Sequence, residues 1–352
     1  MSALPVRVGF IGAGANTLAR HIPGFRAIPD VTLAGVANRT LASSQKVATQ
    51  HAIPKVFASW QELVADPAID AVCIGTWPDT HAEITCAALA SGKHVLCEAR
   101  MARNVAEAQA MLKASQAQPD RVAMLVPSPF GLQVDAEIRA LRERYFIGDL
   151  RQLVVFGLDD QFYDYSKNLH WRQDAQKSGL NALTLGILHE TAMRWCPPTT
   201  KVLAQTHIFE PTRPDPHSDQ NVPVTTPELV HVLSELEGNA RGIYHFSGVA
   251  LHAPAKQIHL YGSTGTIRVE FGPTEKIFVG RPGHPGMKEV EIPPQLVGKW
   301  RVEAEFIGAI RGEEPVRLTD FTAGLEYMKF TEAVARSAAA GHAVSLAETL
   351  GS

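Results

Sequence analysis

Val6-Arg7-Val8-Gly9-Phe10-Ile11-Gly12-Ala13-Gly14-Ala15-Asn16-Thr17 is the stretch that decides the fold. Its first half is a short apolar run that stops at glycines, the pattern of a fully buried strand. A helix is expected from Asn16 to Ala27, directly behind the turn. Gly12 permits a tight turn, and Gly14 lets the backbone approach a pyrophosphate. The helix start then offers free N–H groups and the positive end of a dipole. Thr17 stands where this pattern usually has a third glycine for close helix–strand packing. Placed between a buried strand and a helix, the pattern predicts a dinucleotide-binding turn formed by Gly12, Gly14, Ala15, Asn16 and Thr17. The competing reading is a tight turn with no ligand.

The periodicity continues outward from that turn. Strands are expected at Val31–Ala37, Ala71–Thr76, His94–Glu98 and Val122–Val126. Helices are expected at Leu41–His51, Trp60–Val64, His81–Ser91 and Val105–Gln116. Alternation at this spacing means parallel βαβ units and a doubly wound sheet of the Rossmann kind. The pattern changes beyond residue 126. A helix is expected at Asp135–Arg144, then strands at Leu150–Leu158, His207–Glu210, Leu229–Leu236, Ala240–Phe246, Gln257–Tyr261, Gly265–Phe271 and Lys288–Ile292. Glycine, proline and asparagine turns join them, so a large, open, mainly antiparallel sheet is expected. Pro211–Pro227 reads as a surface loop, and a closing helix is expected at Phe321–Ala340. The fold class is therefore α/β. A nucleotide-binding domain covers 1–125 and a substrate-binding α/β domain covers 126–352, with the closing helix packing back toward the first.

Length and composition agree with two domains. The chain has 352 residues, 45% of them hydrophobic and 20% charged, with a formal net charge of -3. Such a balance offers no basic surface for nucleic acid or membrane. No apolar run reaches the ~18 residues of a transmembrane helix, and the N-terminus lacks a signal-peptide pattern. Cys73, Cys86, Cys97 and Cys196 form no CxxC pair and match neither a metal site nor a disulfide framework. No metal is expected, and buried free thiols fit a reducing, cytoplasmic setting.

The end of the second strand should read the adenosine ribose. An acid there would bind the 2′-hydroxyl of NAD and repel a phosphate, but Asn38-Arg39-Thr40 stands in its place. Arg39 can pair bidentately with a 2′-phosphate and lie against adenine, while Asn38 and Thr40 add neutral donors. NADP is thus expected over NAD. The alternative is that Arg39 is a solvated residue at a helix start.

From residue 71 onward the chain resembles the glucose–fructose oxidoreductase and inositol dehydrogenase family (Gfo/Idh/MocA). Ala71-Val72-Cys73-Ile74-Gly75-Thr76, with Pro78 and His81, resembles its third-strand signature. Gly92-Lys93-His94-Val95-Leu96-Cys97-Glu98 is similar to its most recognisable stretch. Trp171-Arg172 and Ser178–Thr191 correspond to its substrate segment, and Tyr261–Thr266 and Phe321–Leu346 to its tail. The resemblance implies a Rossmann domain and a second α/β domain whose open sheet makes homodimer or homotetramer contacts. It also implies that Thr76, Trp77, Pro78, His81, Glu98, Arg100, Trp171 and Arg172 lie around the cofactor.

The departures from the family pattern matter as much. The family has lysine and proline after the glutamate; here Ala99 and Arg100 follow Glu98. Thr184 and Leu188 stand where the family often has aspartate and histidine. His189 is one residue displaced, and residues five apart on an α-helix diverge by ~140°. A π-bulge would restore its direction; otherwise His189 is a structural histidine. Arg100 cannot shuttle a proton, although it can stabilise a developing alkoxide or bind an anionic group. The bland alternative for Arg100 is an ion pair with an acid such as Glu98. Tyr163, Tyr165, His170, Trp171, Arg172 and Asp174 form a polar, aromatic stretch suited to sugar rings, though it could pack only on its neighbours. Asn181 can add an amide.

These residues suggest an oxidoreductase that uses NADP on a carbonyl or secondary alcohol of a sugar or polyol. In that reading His189 handles the proton and Arg100 organises charge. His189 and Thr184 also count among the substrate-binding candidates, with Tyr163, Tyr165, Trp171 and Asn181. Two further readings stay open: an NADP-binding sensor without hydride transfer, and an enzyme that uses the cofactor transiently for elimination or glycoside cleavage.

Overall fold

The computed structural model describes residues 4–350. They form two compact units, one running to Pro127 and including Arg301–Glu326, the other comprising Ser128–Trp300 and the chain from Tyr327.

Unit 1 is built on six parallel strands, β1 (Val6–Ile11), β2 (Val31–Ala37), β3 (Lys55–Val56), β4 (Ala71–Ile74), β5 (His94–Cys97) and β6 (Ala123–Leu125). Their order is β3-β2-β1-β4-β5-β6. The chain reverses its winding between β1 and β4, so the carboxyl ends of these strands open a crevice there, where such sheets bind ligands. Helices α1 (Ile22–Arg26), α2 (Leu41–His51), α3 (Trp60–Ala65), α4 (Pro78–Ala90) and α5 (Val105–Gln116) connect the strands. Local chemistry starts three of them: the side chains of Thr40, Ser59 and Asn104 accept from the N–H groups of Ser43, Glu62 and Glu107. One departure from the expected pattern bears on function. The helix expected at Asn16–Ala27 begins as a π-helical turn over Thr17–His21 before α1.

Unit 2 holds α6 (Asp135–Glu143), α7 (Ala175–Ser178) and α8 (Leu185–Met193). Its strands are β7 (Leu150–Leu158), β8 (Thr199–His207), β9 (Thr212–Pro214), β10 (Asn221–Pro223), β11 (Leu229–Leu236), β12 (Arg241–Ser247), β13 (Lys256–Gly262), β14 (Thr266–Phe271), β15 (Glu275–Gly280), β16 (Lys288–Val290) and β17 (Val344–Ser345). Strands β9 and β10 pair with each other, and the remainder form one sheet in the order β16-β15-β14-β13-β7-β12-β11-β8-β17. Its pairs are antiparallel except β12 with β7. The period of two along β11 buries Val230 and Val232, which share a core with Leu185 and Leu188 of α8 and with Phe330. On the opposite face Leu203, Leu233 and Ile243 lie exposed in one cross-strand row.

The remaining helices are α9 (Val302–Ile310) and α10 (Phe321–Ala340). A boundary near residue 125 is expected from sequence, yet Arg301–Glu326 returns to unit 1. There Phe306 of α9 meets Phe25 edge-on at 6.2 Å, and Phe25 meets Phe10 of β1 at 6.0 Å. Helix α9 escaped the periodicity because Glu303 and Glu305 are buried beside Val302, Phe306 and Ile307, leaving no polar face in the pattern. The strand expected at His207–Glu210 does not form: β8 ends at His207 and the chain bends just beyond it. Pro211–Pro227 is not merely a surface loop: it carries the β9–β10 pair and the buried Arg213.

Candidate active site

The turn after β1 is held from several sides. Gly12 has φ +78°, and a Cβ there would fall 2.8 Å from the N–H nitrogen of Thr76. Only glycine fits this left-handed, crowded position. Gly14 differs: a Cβ would meet nothing closer than the Gly75 carbonyl at 3.7 Å, an ordinary contact. Among the described residues no neighbour demands glycine at that position, so the turn leaves room there for the close approach of an outside group. The carboxamide oxygen of Asn38, just past β2, accepts from the N–H of Ala13 at 2.7 Å, and the Asn38 N–H donates to Ser44. Asn38 thus holds the turn, a more internal task than the ribose contact expected of it. Thr17 is buried, and Gly75 makes room for it, since a Cβ on Gly75 would lie 2.2 Å from the Thr17 hydroxyl. The third glycine of the pattern has in effect moved to the neighbouring strand end.

Around this turn lie the other carboxyl-end residues. Arg39 is exposed, its guanidinium 5.8 Å from the centroid of the Trp77 ring. Thr40 caps α2 with the hydroxyl expected to face the cofactor. Pro78 is the buried first residue of α4. Thr76 accepts a hydrogen bond from the Thr80 hydroxyl at 2.8 Å. His81 is fully buried, with its ring nitrogens 2.9 Å from the carbonyl oxygen of Arg100 and 3.1 Å from that of Thr76. Burial holds its pKa below the usual value, and a neutral ring donates its single N–H to one of these two carbonyls. His81 shapes the site from below instead of reaching a ligand. Arg100 is itself buried, 6% exposed. Ala15 is exposed at the turn, and Asn16 donates through its amide to Glu98. These residues fit a dinucleotide: a bare backbone cradle at Gly12–Gly14, a helix start behind it, and an exposed cation past β2.

In unit 2 the substrate candidates separate into two groups. Trp171–Gln173 is a 3-10 turn capped by His170, with the Arg172 guanidinium 4.2 Å from the Trp171 ring centroid. Tyr163 and Tyr165 are exposed on the loop before it. Arg213, missed from sequence, anchors this loop: it donates to the carbonyls of Phe162 and Asp164, pairs with Glu228 at 3.1 Å and lies 4.9 Å from the Tyr165 ring centroid. Asn181 is buried and donates to the Ser178 carbonyl, so its amide serves the bend before α8. Thr184 sits at the N-cap of that helix, half-buried.

His189 contradicts its expected role. Helix α8 is regular, with no π-bulge to turn the ring, so five-residue spacing sends it into the core. The ring is 2% exposed and stacks on Phe330 at 3.7 Å and 8°, with Nε2 3.1 Å from the Thr199 hydroxyl. Burial alone pushes its pKa down to about 3. A neutral imidazole sealed among aromatic rings has no route to a substrate proton; it is a core residue. Among the described residues no group of three or more His, Cys, Asp or Glu could hold a metal, and no helix is long and apolar enough to cross a membrane.

Comparison with known proteins follows the same division. Residues 6–126 match the family described as "Oxidoreductase family, NAD-binding Rossmann fold", and residues 136–268 match the "GFO/IDH/MocA C-terminal domain". Trans-1,2-dihydrobenzene-1,2-diol dehydrogenase of Sus scrofa is 29% identical over 182 residues, 52% of this chain and 51% of its own length. The chain thus spans about half the length of the first curated relatives it matches. The enzyme of the same name from Mus musculus is 26% identical across 84% of this chain and 80% of its own. A solved levoglucosan dehydrogenase, in complex with NADH and L-sorbose, shares the fold at TM-score 0.88 and 21% identity, covering 98% of this chain and 100% of that one.

Proposed function

Because the chain belongs to the Gfo/Idh/MocA oxidoreductase family, we propose that it is an NADP-preferring dehydrogenase or reductase. Its substrate in this reading is the carbonyl or secondary alcohol of a sugar, polyol or related small molecule. One observation carries the cofactor half: Gly14 lacks a Cβ although no neighbour among the described residues requires it. The NADP preference is supported by Asn38-Arg39-Thr40, which ends β2 with an exposed cation and no acid. A relative solved with NADH makes NAD the competing cofactor. Relatives named for dihydrodiol and levoglucosan oxidation support a cyclic, hydroxylated substrate.

When bound, the nicotinamide supplies the hydride chemistry. The residues of the chain bind, orient and manage one proton. The N–H groups from Gly14 onward take the pyrophosphate, and Arg39 takes the 2′-phosphate bidentately. Arg100 contributes fixed positive charge beside the reacting centre. With His189 sealed in the core, the proton passes to an exposed group of the aromatic segment. His170 is suited to that task. Its Nδ1 accepts from the Arg172 N–H at 3.2 Å, so the neutral ring carries its proton on Nε2. Tyr163 and Tyr165, exposed residues on the loop before it, offer hydroxyls as well.

A second reading, a sensor or a transient-redox enzyme, is favoured by Ala99 in place of the lysine and by the burial of His189. Net nucleotide oxidation across a panel of sugar-derived ketones and aldehydes separates the readings. The proposed enzyme oxidises NADPH with at least one of them, and His170→Ala slows it more than His189→Leu does. A transient-redox enzyme turns substrate over with no net NADPH loss, and a sensor does neither; both outcomes contradict the proposal.

The open face of the unit 2 sheet, with exposed Leu203, Leu233 and Ile243 in one row, supports a homodimer or homotetramer contact there. Leu233→Glu should then lower the mass seen by light scattering, and a wild-type monomer at micromolar concentration would refute the contact. The four cysteines are free, which supports a reducing, cytoplasmic setting.

A further inference from the structure

The glycine turn rests on a buried ion cluster that the proposed chemistry does not use. His21 closes the π-helical turn and is fully buried between Glu98, just past β5, and Glu303 on α9. Its Nδ1 lies 2.5 Å from Glu303 Oε1 and its Nε2 lies 2.9 Å from Glu98 Oε1. A neutral imidazole has one N–H and could serve only one of these carboxylates, so both contacts together call for the doubly protonated ring. Glu98 in turn accepts from the Asn16 amide through Oε1 and from the Ala99 N–H through Oε2 at 3.2 Å. Asn16 immediately precedes the π-helical turn and follows Gly14-Ala15. The π geometry explains how the groups meet. Residues five apart diverge on an α-helix but align on a π turn, and Asn16 Nδ2 lies 3.5 Å from His21 Nε2. A π-helical turn, absent at His189, is found at His21.

We propose that His21 is a positioning residue of the dinucleotide site: an imidazolium that locks Glu98 and, through it, Asn16 and the start of the phosphate-binding helix. This rests on the cofactor reading above. The charge state follows from the surroundings. Burial opposes the charge, but the Glu303 and Glu98 carboxylates outweigh it and raise the pKa to about 9. For Glu98, burial pushes upward and the bonds from His21 and Asn16 more than offset it, leaving the carboxyl below its usual value. The other titratable groups around the cluster do not compete in that range. Burial, then the two carboxylates, holds the Cys73 thiol of β4 far above its ordinary value; burial does the same for Cys97 of β5 and keeps His81 of α4 neutral. Loss of the His21 proton ends both ion pairs, leaves a single hydrogen bond to one carboxylate, and adds a net negative charge beneath the place where a pyrophosphate would sit.

The test is titration of NADPH and NADH into the full-length protein from about pH 7 to 10, followed by tryptophan-to-nicotinamide energy transfer. The wild-type dissociation constant should rise on the order of tenfold as pH passes the His21 value of about 9. In His21→Gln, binding should be about tenfold weaker at pH 7 and flat with pH. In Glu303→Gln, the rise should move to lower pH because one partner is neutral. A merely structural histidine would change thermal stability without moving this pH profile. A flat wild-type curve, or a His21→Gln curve identical to wild type, overturns the proposal and leaves the cofactor reading standing. Absence of binding of either nucleotide to the wild-type chain overturns that reading and the proposal together. Should His21→Gln fail to fold, the wild-type and Glu303→Gln curves still decide.

Discussion

Both units of the molecule bury histidines, and His21 of unit 1 and His189 of unit 2 are opposites. His21 in unit 1 lies between two carboxylates and is held charged, whereas His189 in unit 2 is stacked on Phe330 beside Tyr244 and is held neutral. Desolvation acts on both. In unit 1 two anions overcome it, and in unit 2 nothing opposes it. Unit 1 thus spends buried charge on fixing a turn, and unit 2 uses its imidazole as an aromatic plate. A histidine near an expected catalytic position is therefore informative only once its partners are known.

The sharpest way to break this comparison is to replace both rings with leucine. His21→Leu leaves Glu98 and Glu303 buried without their cation and should cost about 3–5 kcal/mol of unfolding free energy in urea. His189→Leu loses one bond to Thr199 and should cost only about 1 kcal/mol. Equal losses would show that the two sites are not different in kind. A drop in turnover of more than about tenfold in His189→Leu, with stability retained, would restore its catalytic role.

The pH dependence of stability sharpens the same contrast, with somewhat smaller effects. The folded pKa of His21 is raised, so its contribution is complete below about pH 6.5 and is lost as pH rises through about 9. The folded pKa of His189 is depressed, so its contribution is present above about pH 6.5 and is lost as pH falls toward about 3. Each arm is on the order of a few kcal/mol. Melting curves should show the alkaline loss diminished in His21→Leu and the acid loss diminished in His189→Leu. The opposite assignment would refute both charge states.

Much of unit 1 was legible in the residues because its signals are local. Helices Leu41–His51 and Val105–Gln116 have their expected bounds, set by Thr40 and Asn104 caps and by apolar spacing. Strand β8 was mostly missed: Thr199–His207 alternates weakly, with polar residues and an alanine diluting the pattern. Site residues whose partners are distant in sequence were the hardest to read. His21 meets residues 77 and 282 positions away. Arg213, in a proline-rich stretch that reads as surface, is buried by Glu228 and the Phe162–Asp164 carbonyls. A clue was available for Thr17, since Gly75 ends the neighbouring strand and can supply the space a missing third glycine would have given. No comparable clue announced that Asn38 would turn inward to Ala13, because that depends on how two strand ends meet.

The central claim is that unit 1 holds a nicotinamide dinucleotide on the Gly12–Thr17 turn and that Arg39 favours the 2′-phosphate. Calorimetric titration of NADPH and NADH into wild type and Arg39→Ala tests it most directly. One saturable site per chain is expected, with NADPH tighter by about tenfold or more in wild type. That preference should collapse in Arg39→Ala while NADH affinity stays unchanged. Absence of saturable binding by both nucleotides would contradict the account, and an NADPH preference that survives Arg39→Ala would remove its assignment to that residue.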